Sequence, residues 1–133
     1  MTDYAGQPYP TICPYLYYED GVTAMDWLTQ AFGFRERMRT VNADGSLRHG
    51  EMEFGDGVIM MGSPPDHKNP AHLGQVTVGI YVHVADIDQH YQQAKTAGAD
   101  IDSAPTDQTY GVRSYGARDS EGHQFWFSQP LNS

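Results

Sequence analysis

Two short runs hold most of the side chains able to do chemistry. In LRHGEMEF, His49 and Glu51 stand two residues apart, so on a strand they share a face. Such a pair could act as a general base, because imidazole titrates near neutrality; a structural hydrogen bond is the other reading. His83, in VTVGIYVHV, adds a donor that with His49 and Glu51 would make a two-histidine, one-carboxylate set for a divalent transition metal. In YGVRSYG, Tyr110, Arg113 and Tyr115 stand together. The fork of donors on Arg113 could meet an anionic ligand group or a surface carboxylate. Tyr15, Tyr17, Tyr81 and Trp126 offer ring faces suited to a flat organic molecule.

The elements that must position these residues follow an internal repeat. Asp20 and Asp86 each follow an apolar strand and open a helix. Gly33 and Gly98 each close that helix, and Gly57 and Gly122 each precede a final strand, with separations of 66, 65 and 65. ICPYLYYE is rich in strand formers, and Met25, Leu28 and Phe32 recur at helical spacing behind it. RERMRTVN, LRHGEMEF and VIMMG then read as three strands, turning at Asp44-Gly45 and at Gly55-Asp56-Gly57. The second half repeats the plan, with a helix capped near Asp86, Ile87, Tyr91 and Ala94 on one helix face, and DSEG as its last turn. The expectation is an α+β fold and one domain over residues 1–133. It comprises a βαβββ module at about 9–64, a polar linker at about 65–74 with two solvated histidines, and a second module at about 75–130.

Composition removes several functions. The 17 acidic residues outnumber the 8 basic ones, for a formal charge of -9. Displacing counterions from phosphates or docking on an anionic bilayer needs clustered Lys and Arg, so neither nucleic acid nor membrane is expected as a partner. One cysteine, Cys13, allows no internal disulfide, and no leader-like or membrane-length apolar run is visible; a cytoplasmic location is expected.

The two stretches YLYYEDGVTAMDWLTQAFGF and YVHVADIDQHYQQAKTAGAD, with ARDSEGHQFWF near the end, resemble the vicinal oxygen chelate superfamily of glyoxalases, bleomycin resistance proteins and dihydroxybiphenyl dioxygenases. DGSLRHGEMEFGDGVIMM and YGVRSYGARDSEGH look most like its PhnB-like or bleomycin-resistance-like branch. The resemblance implies a curled mixed sheet in which two modules line a cup holding the ligand, and a homodimer. It also implies, in metal-dependent members, His, Gln or Glu ligands on the first and last strand of each module. Here those positions fall on Cys13, Met60 or Met61, Gly79 and Trp126, which supply no such donor set, so no metal cofactor is expected.

Alternation then assigns faces. Leu16, Tyr18, Ile80, Val82, Val84, Phe125 and Phe127 should pack under the helices, turning Cys13, Tyr15, Tyr17, Gly79, Tyr81, His83 and Trp126 to the cup. Met61, His49, Glu51, Tyr110, Arg113 and Tyr115 are expected to complete the lining. The function expected is metal-independent binding of a small organic ligand, aromatic or peptide-like, sequestered as an antibiotic would be. The alternative is a lyase, isomerase or dioxygenase with a nonstandard metal site, or acid-base catalysis by His49 and Glu51.

Overall fold

The computed structural model describes Gly6 and residues 8–131. The elements run β1 (Tyr15–Tyr17), α1 (Gly21–Phe32), β2 (Arg35–Val41), β3 (Leu47–Phe54), β4 (Gly57–Gly62) and α2 (Pro70–Leu73). The second half follows with β5 (Gly79–His83), α3 (Ile87–Thr96), β6 (Asp100–Asp107), β7 (Val112–Arg118) and β8 (Gln124–Pro130). Two four-stranded sheets result, ordered β1-β4-β3-β2 and β5-β8-β7-β6. In each, the first strand runs parallel to the last while the others pair antiparallel. The repeat is therefore a repeat of topology, as its spacing requires.

Local chemistry sets the boundaries. Asp20 caps α1 by accepting from the Thr23 amide, and Gly33 ends it at φ 77°, a conformation glycine adopts without a Cβ clash. Asp86 caps α3 in the same way through the Gln89 amide. That helix stops one residue earlier than expected, on Ala97, with Gly98 following at φ 92°. Strand β1 is shorter than ICPYLYYE suggests: Pro14 has no amide to donate, although its carbonyl accepts from the Met60 amide at 2.8 Å. The linker holds the short helix α2, capped by Asn69; of its histidines His72 is exposed, as expected, and His67 half-buried, and both have partners. His72 Nδ1 lies 2.5 Å from Glu19, and the His67 ring centroid is 5.7 Å from that of Tyr17.

One core serves both modules. Leu16, Tyr18, Met25, Leu28 and Phe32 from the first pack with Val84, Ile87, Ala94, Tyr115, Phe125 and Phe127 from the second. At the seam Phe32 meets Phe127 edge-on at 4.7 Å and Phe125 at 5.1 Å. His90 crosses the same seam. A carbonyl only accepts, so His90 Nε2 carries the proton donated to Phe32 at 2.8 Å, leaving Nδ1 to accept the Tyr115 hydroxyl at 2.6 Å. Burial lowers its pKa and keeps the ring neutral. A second clasp joins the β7–β8 turn to the start of α1. Buried Glu121 accepts from the Glu19 and Asp20 amides and the Asn69 side chain, and the Tyr18 hydroxyl donates to Asp119. Among the described residues no helix is long and apolar enough to cross a membrane.

Candidate functional site

Because the helix-bearing faces meet in the shared core, the opposite face of each sheet is turned outward. Register shows what each outer face presents. In the first module Tyr15 pairs with Met60, Met60 with Glu51 and Glu51 with Met38. In the second, Tyr81 pairs with Trp126, Trp126 with Gly116 and Gly116 with Ser103. Tyr15, Tyr17, Tyr81, His83 and Trp126 are all outward and exposed, as alternation requires.

The first face carries a line of hydrogen bonds. The Tyr15 hydroxyl is 3.1 Å from His49 Nδ1, and His49 Nε2 is 2.9 Å from Glu51. A carboxylate accepts only, so Nε2–H donates to Glu51 and, in the neutral ring, Nδ1 accepts from Tyr15. Desolvation, Tyr17 and Glu51 push the Tyr15 phenol above its usual pKa, so it stays protonated as that donor. Glu51, only 4% exposed, also receives the Tyr9 hydroxyl on both oxygens, at 2.7 and 2.8 Å. The guanidinium of Arg37 sits 3.9 Å from Glu51 and 4.8 Å from the Tyr9 ring centroid. Sequence reasoning named His49 and Glu51 but missed Tyr9 and Arg37.

The second face is built around a ring. A Cβ added to Gly116 would lie 2.4 Å from Trp126 Cζ3, and one added to Gly79 would lie 3.3 Å from Trp126 Nε1. The indole therefore lies along the sheet over two glycines, 40% exposed on its outer side. It opens on a cavity of about 380 Å³ shared with Tyr81, Tyr110, Ser103, Gln108 and Ser114. Among the described residues no charged side chain lines it. Ser103, Gln108 and Ser114 were not anticipated, since polar residues in a strand or the turn behind it give no signal until register is known.

Other expected lining residues sit elsewhere. Met61 is fully buried in the core, and Met60 takes the outward place. The glycine landmark misled here: nine residues separate Glu51 from Met60, but ten separate Gly116 from Trp126, so the final strand shifts by one between modules. Tyr115 is 1% exposed, under α3, with its hydroxyl on His90. Arg113 shares that face of β7 and is bound to Asp88 and Asp107, both at 3.0 Å. Cys13 is partly buried with its thiol 3.4 Å from the Pro10 carbonyl, and His83 Nδ1 lies 3.3 Å from the Ser128 hydroxyl. The expected common cup is also divided. Tyr15 and Tyr17 open on a cavity with His67, Lys68 and Leu73, separate from that of Trp126.

The donors do not fit a metal of the superfamily type. The positions that would carry the ligands, Cys13 just ahead of β1, Met60 on β4, Gly79 on β5 and Trp126 on β8, offer a thiol, a thioether, no side chain and an indole. Among the described residues no group of three His, Cys, Asp or Glu could hold a metal ion, so His49, Glu51 and His83 do not assemble one.

Known proteins agree with this architecture. TioX from Micromonospora sp. ML1 is 35% identical, with a TM-score of 0.75 covering 92% of this chain and 99% of its own. An uncharacterized protein of Mycobacterium bovis is 30% identical over 128 residues, 92% of this chain and 84% of that protein. The fosfomycin resistance protein FosX from Mesorhizobium loti shares the fold at 18% identity, with a TM-score of 0.64 over 92% of this chain and 93% of its own. A family model, the Glyoxalase/Bleomycin resistance protein/Dioxygenase superfamily, matches residues 12–127. The chain belongs to that superfamily.

Proposed function

We propose that this protein is a metal-independent binding protein that sequesters a small aromatic or peptide-like compound, in the manner of an antibiotic-resistance protein. The observation that carries this reading is Trp126, laid over Gly116 and Gly79 beside a cavity of about 380 Å³. An indole held flat on a sheet loses little entropy when a second ring stacks on it. Ser103, Gln108, Ser114 and the two tyrosine hydroxyls supply hydrogen bonds to orient a polar group. The superfamily's resistance members and the fold shared with a fosfomycin resistance protein support an antibiotic as guest. The open outer face of each module supports a homodimer in which two faces enclose the guest.

The reading is tested with N-phenylnaphthylamine, a neutral planar dye that fluoresces when bound. Saturable binding that weakens roughly tenfold or more in Trp126→Ala is expected, from the ~1–3 kcal/mol that ring stacking provides. No saturable binding, or equal affinity in the variant, defeats it. Native mass spectrometry should give a metal-free dimer, and near-stoichiometric transition metal by elemental analysis would refute metal independence.

A second reading, acid-base catalysis, draws on the Tyr15–His49–Glu51 line, which has the base-and-orienter layout of catalytic triads. It requires turnover that His49→Asn abolishes while dye binding survives.

A further inference from the structure

We infer that the Glu51–Arg37 corner of the first module's outer face is a binding subsite for a phenolic ring, held in the free protein by Tyr9. The inference deepens the proposed binding role and rests on it only in placing ligands on the outer faces of the sheets.

The site is built, and its own contents show what it accepts. Glu51 is a buried carboxylate, and a buried charge is costly unless donors surround it. Tyr9 supplies one such donor to both oxygens, while the Arg37 guanidinium covers the ring at cation–π distance. An acceptor for the hydroxyl and a cation over the ring face together describe a phenol. Arg37 also donates to the Pro8 carbonyl at 3.2 Å, fastening the strap that presents Tyr9.

Two features make Tyr9 an exchangeable occupant. The strap lines a cavity of about 320 Å³ together with Arg37, Glu53, Asp56 and Val58, so a ring seated like that of Tyr9 has space beside it for substituents. Between Tyr9 and β1 the chain passes through Thr11 and Ile12, both exposed, and is tied at the Pro10 and Pro14 carbonyls. A tethered side chain competes with any free phenol through its effective concentration. Removing the side chain removes the competitor.

The test is a ¹H–¹⁵N NMR titration of the whole chain with p-cresol. Tyr9→Ala should bind it roughly tenfold or more tightly than the wild type, with shifts centred on Glu51 and His49. 4-Methylanisole, which cannot donate, should show no such gain, and adding Glu51→Leu, which removes the acceptor, should erase it. Tyr9→Phe keeps the ring and loses the hydroxyl, so it should show part of the gain and serves if the alanine variant misfolds. A Tyr9→Ala or Tyr9→Phe protein that binds p-cresol no better than wild type overturns the inference, as does a gain that survives Glu51→Leu. Shifts at Glu51 and His49 read this subsite alone, whereas dye fluorescence reads the Trp126 face, so failure here is distinguishable from failure of dye binding on the second module.

Discussion

Across the first module the outward row is Tyr15, Met60, Glu51 and Met38; across the second, the matching row is Tyr81, Trp126, Gly116 and Ser103. Both rows start on a tyrosine, and they diverge most at the third place. Glu51 makes the first face polar: it draws in His49, Tyr9 and Arg37, and the chain covers that corner with its own strap. Gly116 leaves a hollow that Trp126 fills, and the second face is aromatic and open. One topology thus carries two different surfaces, because inward side chains fix the fold while outward ones are free to differ. The difference at a single register position, a carboxylate against a hydrogen atom, decides which face is occupied and which is available.

Gly116→Val attacks that contrast most directly. Even the first added carbon would stand 2.4 Å from the indole, so the ring must lift or the strands must part. A cost of about 3 kcal/mol in urea denaturation is expected from such overpacking, with dye affinity down roughly tenfold or more. Unchanged stability and affinity would mean the glycine floor does not position Trp126.

Glu51→Ala is the counterpart on the first face. It leaves the Tyr9 hydroxyl and His49 Nε2 without their acceptor and takes a countercharge from Arg37. A loss of about 1–3 kcal/mol is expected from groups stranded in this way, measured by the same denaturation, while dye binding on the second face holds. Weakened dye binding would show that the two faces are not independent.

His90 tests the seam that keeps the faces apart. Its pKa is lowered in the folded chain, chiefly by burial, so the unfolded chain takes up the proton first as pH falls. Its contribution is therefore whole above about 6.5, the ordinary imidazole value, and is lost as pH falls from there through the folded value. Thermal melts between about pH 7.5 and about pH 5, across which imidazole titrates, should show falling stability, with a shallower fall in His90→Gln. Equal slopes in the two proteins would place the pH dependence elsewhere.

The sequence made the inward faces legible because period-two alternation survives any loop length. Leu16, Tyr18, Phe125 and Phe127 needed no register to be placed. Assigning outward positions across strands did need it, and one extra residue in the second hairpin sent the choice to Met61 instead of Met60. YGVRSYG has no apolar alternation, so nothing in it revealed that Tyr115 faces the core. Tyr9 lies 42 positions from Glu51, and Arg37 sits where the β2–β3 register shifts. Contacts made by a strap and a bulge leave no periodic trace.

Arg113 gives the smallest effect and the sharpest check on that lesson. Taken as a ligand anchor, its loss would remove a charge-assisted contact and weaken binding strongly. Its actual partners, Asp88 and Asp107, are exposed carboxylates on the helix side of the second module. Exposed ion pairs contribute at most about 1 kcal/mol, because water screens them and long side chains lose freedom in forming them. Arg113→Ala should therefore shift the urea midpoint slightly, reduce the salt dependence of stability, and leave dye binding as it was. A tenfold loss of affinity would put Arg113 back among the ligand contacts and mean that β7 presents its other face to the guest.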